Sequence, residues 1–281
     1  MNGPSLQSVA AQDARKALEE DIGSGDLTAS LIDADASAQA RVLVREPAIV
    51  CGRPWVEAVL RQLDPGARIE WQVPEGARVR PGDVVLQVSA GARTLLTAER
   101  SMLNFLQLLS GVATRTARYV QAVQGTRARI VDTRKTLPGL RVAQKYAVRV
   151  GGGHNHRMGL YDGILIKENH IAAAGSIAAV LQRAQAIAPP GVFVQIEVET
   201  LEQLQQALAA GARMVLLDNM SLEQLREAVA LNAGRAELEV SGGVELSTVR
   251  VLAETGVDRI SIGKLTKDVL AVDFSMRFAA S

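Results

Sequence analysis

From Phe193 onward the sequence settles into one repeated pattern, and that pattern limits the fold more than any other feature. VFVQIEVET, RMVLLDNM, AELEVSGGV and DRISIGKL read as short, mostly apolar strands. Between them lie amphipathic stretches at Leu201–Ala210, Leu222–Leu231 and Ser247–Glu254, each long enough for one helix. A helix between each pair of strands makes consecutive strands parallel. The pattern extends back through ARIVDTRK and DGILIKENH, with helices expected at Pro138–Val150, stopped by Gly151–Gly153, and near Ser176–Ala188. Serial strand–helix units of this kind form an α/β barrel. The count is about six strands, fewer than eight, so an incomplete barrel is expected.

The first third follows other rules. Gln7–Glu20 reads as an amphipathic helix, and DIGSGDLTASLI (Asp21–Ile32) is rich in turns. ARVLVREPAIVCG and ARIEWQVPEG alternate apolar and polar residues between Pro and Gly breaks, as short antiparallel strands do. VPEGARVRPGDVVLQVSA is similar to the strand–turn–strand of a biotinyl or lipoyl module. It lacks a lysine at the turn tip, so a structural part is expected. A long helix follows over Thr94–Gln124. The expected division is an N-terminal open α/β sandwich domain over 1–112, the barrel over 113–270, and a tail over 271–281 that returns to the first domain.

Composition excludes several classes. Aromatic residues make up 3% of the 281, too few for stacking on single-stranded nucleic acid. A net charge of +1 offers no global attraction to DNA or anionic membranes. Cys51 is the single cysteine, which rules out an internal disulfide or a cysteine zinc cluster. No apolar run approaches the ~20 residues that span a membrane, and the first thirty residues lack the apolar core of a signal peptide. A soluble, cytoplasmic protein is expected.

Active sites of such barrels lie at the carboxyl ends of the strands. Those ends carry Asp132–Lys135, Lys167–His170, Glu197 with Glu199, Asp218–Asn219, Ser241–Gly243, and Gly263–Lys264. Almost every strand therefore brings a charge, or a glycine that bares backbone N–H groups, to one rim. In FVQIEVE, Gln195, Glu197 and Glu199 share one face, which is expected to look into the barrel. Carboxylates there need cations. With Asp218 they suit Mg²⁺ shared with substrate phosphates; ion pairs with Lys135 and Lys167 are the structural alternative. The glycine turns at Ser241–Gly243 and Gly263–Leu265 suit a phosphate.

Positive charge is also concentrated. Eight Arg/Lys and one acid, Asp132, lie between Arg127 and Arg157 in a chain with 31 basic and 30 acidic residues. The three histidines all fall in 154–170. His154 and His156, two apart, allow a metal pair, but no third ligand has a recognisable spacing, and Asn155 and Arg157 beside them favour an anion. Arg141, Lys145 and Arg149, four apart on a helix, form one stripe that is expected to be solvated.

DTRKTLPGLRVAQKYAVRVGGGHNHRMGLYDGILIKENH resembles the signature of the quinolinate phosphoribosyltransferases, as do LTAERSMLNFLQLLSG, IEVETLEQL, LLDNM, SGGV and IGKLT. The resemblance covers most of the chain after about residue 20. It implies transfer of phosphoribosyl from phosphoribosyl pyrophosphate to quinolinate with decarboxylation, giving nicotinate mononucleotide, pyrophosphate and CO₂. It implies Mg²⁺ at Glu197 and Asp218, directly or through the substrate, and a homodimer, or a higher assembly, with shared active sites. It assigns quinolinate to Arg134, His156, Arg157 and Lys167, with Arg100 reaching the partner's site. It assigns phosphoribosyl pyrophosphate to Lys135, Thr136, Glu197, Asp218, Ser241, Gly242, Gly243, Gly263, Lys264 and Leu265. Lys135, Glu197 and Asp218 are the catalytic set.

Overall fold

The computed structural model describes residues 5–279. In chain order the elements are α1 (Leu6–Ile22), a 3-10 turn (Ala29–Leu31), β1 (Ser37–Val44), β2 (Ala48–Ile49), α2 (Arg53–Leu63), β3 (Arg68–Trp71), β4 (Arg78–Val79), β5 (Val84–Gly91) and α3 (Ala92–Ala122). Then come β6 (Arg129–Val131), α4 (Arg141–Val150), β7 (Gly163–Ile166), α5 (Glu168–Ala174), α6 (Ile177–Ile187), β8 (Phe193–Val198), α7 (Leu201–Ala209) and β9 (Met214–Asp218). The last are α8 (Leu222–Asn232), β10 (Glu237–Ser241), α9 (Val249–Ala253), β11 (Arg259–Ser261), α10 (Lys264–Lys267) and β12 (Phe274–Phe278).

These elements form two compact units. One holds residues up to Ala117, Leu137–Gly152 and everything from Thr266; the other holds Arg118–Thr136 and Gly153–Leu265. In the first, β12, β1, β5 and β3 make an antiparallel sheet in that order. Ala40, Val42 and Val44 alternate inward along β1, and Leu95, Met102, Leu106 and Leu109 recur at helical spacing along α3. The strands on either side of Pro81–Gly82 do not pair with each other. β4 pairs with β2 and β5 with β1, so this segment is not a hairpin.

The sequence reading kept 113–270 in one piece, but α4 groups with the first unit. Its Gly151 lies so close to α3 that a Cβ would meet the Ala113 carbonyl at 2.4 Å. The basic stripe of α4 is also not a solvated face. Arg149 is exposed, but Lys145 is 1% exposed and lies among buried Ala143, Gln144, Ala147 and Val148. Spacing by four aligned the three side chains, but α4 is covered on more than one side.

In the second unit, six parallel strands follow the order β6, β11, β10, β9, β8, β7. This is the incomplete α/β barrel that the strand count implies. Residues around His154 pair with the free edge of β6, through His154 N–H to the Ile130 carbonyl and Asp132 N–H to the His154 carbonyl. Capping residues start the helices: Ser176, Thr200 and Ser221 each accept a backbone N–H two or three residues into α6, α7 and α8.

Registers arrange the inward-facing side chains in layers. Glu239 lies opposite Arg259 and Leu216, and Gln195 opposite Leu165. One residue pair further along each strand come Glu197, Asp218, Ser241 and Lys167, at the carboxyl rim.

Candidate active site

Two clusters of charge meet at this rim, both built by the barrel unit. The first is cationic. Arg134 follows β6, and Arg157 follows the HNH segment. Both are partly buried, and the two guanidinium groups repel each other enough to matter. Burial first, and then the charge of Arg134, hold the Arg157 pKa below its usual value; Asp162 opposes them. Arg157 is fixed by an Nη1 donation to the Gly163 carbonyl at 3.0 Å. Asp162 accepts the backbone N–H groups of Met158 and Gly159 at 2.7 and 2.9 Å, which closes the loop behind Arg157. Two like charges held together in a partly buried place make a receptor for an anion, and planar guanidinium groups suit carboxylates.

The second cluster mixes signs. Lys167 Nζ donates to Glu197 Oε2 at 2.7 Å, so the ion pair allowed for in the sequence is present. Burial raises the pKa of the Asp218 carboxyl; Lys167 and Lys135 act to lower it, while Glu199 and Glu168 add to the rise. These effects place Lys135, Lys167 and Glu199 within electrostatic reach of Asp218. Asn219, in the left-handed region at φ 53°, donates Nδ2 to Asp218 Oδ2 at 2.8 Å and so aims that carboxylate. Lys167 also caps α5, where its N–H donates to His170 Nδ1 at 3.0 Å.

The glycine turns bring these groups close. A Cβ on Gly263 would meet Lys135 Cδ at 2.9 Å, and one on Gly242 would meet Asn219 Oδ1 at 2.7 Å. Gly242 and Gly243 both have positive φ. Ser241 ends β10 beside Asp218, in register with it. Thr136 is partly buried next to exposed Lys135. At the second turn Leu265 is fully buried, and Lys264 pairs with Glu245. Arg100 lies in the other unit, exposed on α3.

Among the described residues, no group of three or more His, Cys, Asp or Glu forms a metal cage. His154 and His156 do not converge on a shared ligand. His154 stands near Arg129 and Arg259, at the amino ends of β6 and β11, and burial and then the Arg129 charge hold its pKa down. The ring of His156 is buried and engages Gln195. Glu199 and Glu168 crowd Asp218 with negative charge that a divalent cation would relieve, while Glu197 is engaged by Lys167.

Some residues of the barrel carried no role in the sequence reading. Buried Glu239 and Gln195 join partly exposed Arg259 and Glu237 in a polar ladder beneath the rim. Asp132 accepts His156 N–H at 2.8 Å and Asn155 Nδ2 at 2.6 Å. The alternation in AELEVS matches that in FVQIEVE and could have flagged Glu237 and Glu239 in the same way.

A six-stranded parallel barrel with cations, carboxylates and glycine turns at its carboxyl rim, in one chain with an antiparallel sheet unit, is the layout of an α/β-barrel enzyme. The models of the quinolinate phosphoribosyl transferase N-terminal and C-terminal domains match residues 26–110 and 112–277. The chain is 45% identical over 272 residues to the nicotinate-nucleotide pyrophosphorylase [carboxylating] of Mycobacterium leprae, covering 93% of this chain and 94% of the relative. It superposes with a TM-score of 0.95 on the nicotinate-nucleotide pyrophosphorylase structure from Francisella tularensis, 41% identical with 98% of each chain covered. The corresponding Ehrlichia chaffeensis structure gives 0.91 at 36% identity, covering 99% of this chain and 100% of that one. This chain belongs to the quinolinate phosphoribosyltransferase family.

Proposed function

We propose that this protein transfers the phosphoribosyl group of phosphoribosyl pyrophosphate to quinolinate, releasing pyrophosphate and CO₂ and forming nicotinate mononucleotide, a step of NAD biosynthesis. The observation that carries the reading is the pairing of two guanidinium groups, Arg134 and Arg157, beside a lysine–carboxylate cluster at one barrel rim. The pair suits the two carboxylates of quinolinate, with Lys167 as a third cation. The cluster suits a pyrophosphate and its ribose.

Lys135 and Lys167 neutralise the departing pyrophosphate. As the C1′–O bond breaks, its electron pair leaves with pyrophosphate and C1′ gains positive character. Glu197 and Asp218 stabilise that charge electrostatically. The ring nitrogen of quinolinate then bonds to C1′ and becomes cationic. The carbon–carboxylate bond next to it breaks, CO₂ departs, and the electron pair left on carbon takes a proton. The backbone N–H groups of Ser241–Gly243 and Gly263–Leu265 suit the 5′-phosphate, with Thr136 and Lys264 beside it. Glu197 and Asp218 would hold a Mg²⁺ together with the substrate, and that ion would help neutralise the pyrophosphate.

The acting form in this reading is a homodimer, in which Arg100 completes the partner's quinolinate pocket. We place the protein in the cytoplasm. Among the described residues, no helix is long and apolar enough to cross a membrane.

The test is direct. Protein, phosphoribosyl pyrophosphate, Mg²⁺ and carboxyl-labelled quinolinate are expected to release labelled CO₂ and nicotinate mononucleotide in equal amounts. Chelation should stop turnover, and added Mg²⁺ should restore it. Equal turnover with nicotinate, or none with quinolinate, would reject the proposal.

A further inference from the structure

Beneath the rim, one chain of hydrogen bonds leads from the barrel interior to Arg157. Glu239 and Gln195 are both 0% exposed, and His156 is 9% exposed. Glu239 Oε2 accepts from Arg259 Nε at 2.8 Å and from Gln195 Nε2 at 3.2 Å. A carboxylate only accepts, so Gln195 must turn its amide nitrogen toward Glu239. Its carbonyl oxygen then faces His156 Nε2, at 2.8 Å. At the other edge of the imidazole, His156 Nδ1 lies 2.8 Å from the Arg157 backbone N–H, which can only donate.

These partners determine which ring nitrogen carries the proton. A hydrogen on Nε2 meets the Gln195 oxygen, with a second acceptor, Glu239 Oε1, 3.8 Å away. A hydrogen on Nδ1 would face another N–H. Glu239 Oε1 is itself buried with no hydrogen-bond partner. A buried carboxylate oxygen in that state costs free energy. An apolar residue would fill the layer without that cost, but it could not orient Gln195.

We propose that Gln195 and Glu239 are positioning residues for the anion pocket: they fix the His156 ring, and the ring holds the backbone of Arg157 in place. Their effect reaches the substrate through Arg157, whose guanidinium is tied down at the Gly163 carbonyl. The inference rests on the reading of Arg157 as a quinolinate ligand and adds the residues that set its geometry. Because the chain leads to Arg157, its loss should affect quinolinate and leave phosphoribosyl pyrophosphate almost untouched. A general loss of stability would affect both substrates.

The experiment uses Gln195→Leu, which keeps the volume and removes both hydrogen bonds, and the isosteric Glu239→Gln as a milder variant. With three histidines in the chain, ¹⁵N shifts of the imidazole nitrogens are assignable through His154→Asn and His170→Asn. The wild type should show His156 protonated at Nε2 alone. In Gln195→Leu the His156 shifts should move toward a mixture of tautomers. The KM for quinolinate should rise roughly tenfold, with the KM for phosphoribosyl pyrophosphate changed less than about twofold. Glu239→Gln should change the same quantities in the same direction by less. Unchanged His156 shifts, equal changes in both KM values, or altered shifts with an unaltered quinolinate KM would overturn the proposal. If the wild type does not use quinolinate, the functional reading fails separately. The NMR comparison then decides the chain alone, and unchanged shifts in Gln195→Leu reject it.

Discussion

Asp218 shows how a single side chain can be set against the fold it belongs to. Burial raises its pKa, and the nearby carboxylates of Glu199 and Glu168 add to the rise. Its folded pKa therefore lies above the unfolded value of 3.8. The folded state holds the proton more tightly, so stability falls as pH rises from the unfolded pKa through the folded one, and stays lower above it. Asp218→Asn removes this loss and still accepts from Asn219. We expect its thermal midpoint at pH 7 to lie above wild type, the gain vanishing as pH falls below the unfolded pKa. Turnover should fall about 100-fold or more. Thermal scans from pH 3.5 to 7 check the first claim, and a lower midpoint at pH 7 would refute it. Arg134→Ala, for its part, should raise the KM for quinolinate more than that for phosphoribosyl pyrophosphate, and the reverse order in initial-rate kinetics would reject its assignment.

The rim was readable because charged residues or glycines mark the strand ends: DTRK, KENH, DNM and SGG each break an apolar run. The layer beneath was less so. Glu239 and Arg259 lie in strands, where a charged residue usually signals a solvated face; the alternation in AELEVS hints at Glu239, and the register pairs Arg259 with it. Lys145 failed the opposite way. Its helical spacing from Arg141 and Arg149 implied water, yet the side chain is buried.

At the scale of elements, close approach decides the packing of α3. Gly111 lies inside this helix, and a Cβ there would meet the Leu270 carbonyl at 2.2 Å. In an unconstrained helix interior, Gly→Ala would add about 1 kcal/mol of stability. Here the clash should prevail, because the atom it meets is backbone and has no rotamer to change. Gly111→Ala is expected to cost about 1–3 kcal/mol, read as a lower urea midpoint with an unchanged slope. A higher midpoint would show that residues 270–271 can move away from α3. The sequence located the helix through its leucines but could not show what crosses it, since Gly111 and Leu270 are far apart in the chain. The packing of α4 with the antiparallel unit was hidden for a similar reason. Periodicity reports which residues are buried, not which neighbour buries them.

The molecule as a whole exposes large apolar side chains in both units: Leu27, Leu31 and Leu270 at 86%, 82% and 75% in the antiparallel unit, Leu160 and Tyr161 at 74% and 79% in the barrel. A two-fold dimer would cover the same residues on both copies. If Arg100 serves the partner's site while Arg134 serves its own, the two lesions should complement. Arg100→Ala and Arg134→Ala should each be almost inactive as homodimers. In a mixed dimer, one site carries both lesions and the other carries neither. With equal amounts and random exchange, half of the dimers are mixed, so about a quarter of wild-type activity should return. Co-expression with two different tags, followed by tandem purification of the mixed dimer, should raise this to about half per dimer. If both residues served the same subunit's site, every site in the mixture would still carry one lesion, and activity would stay at the level of the single variants. The same measurement thus decides whether each site needs a residue from a second copy of the chain.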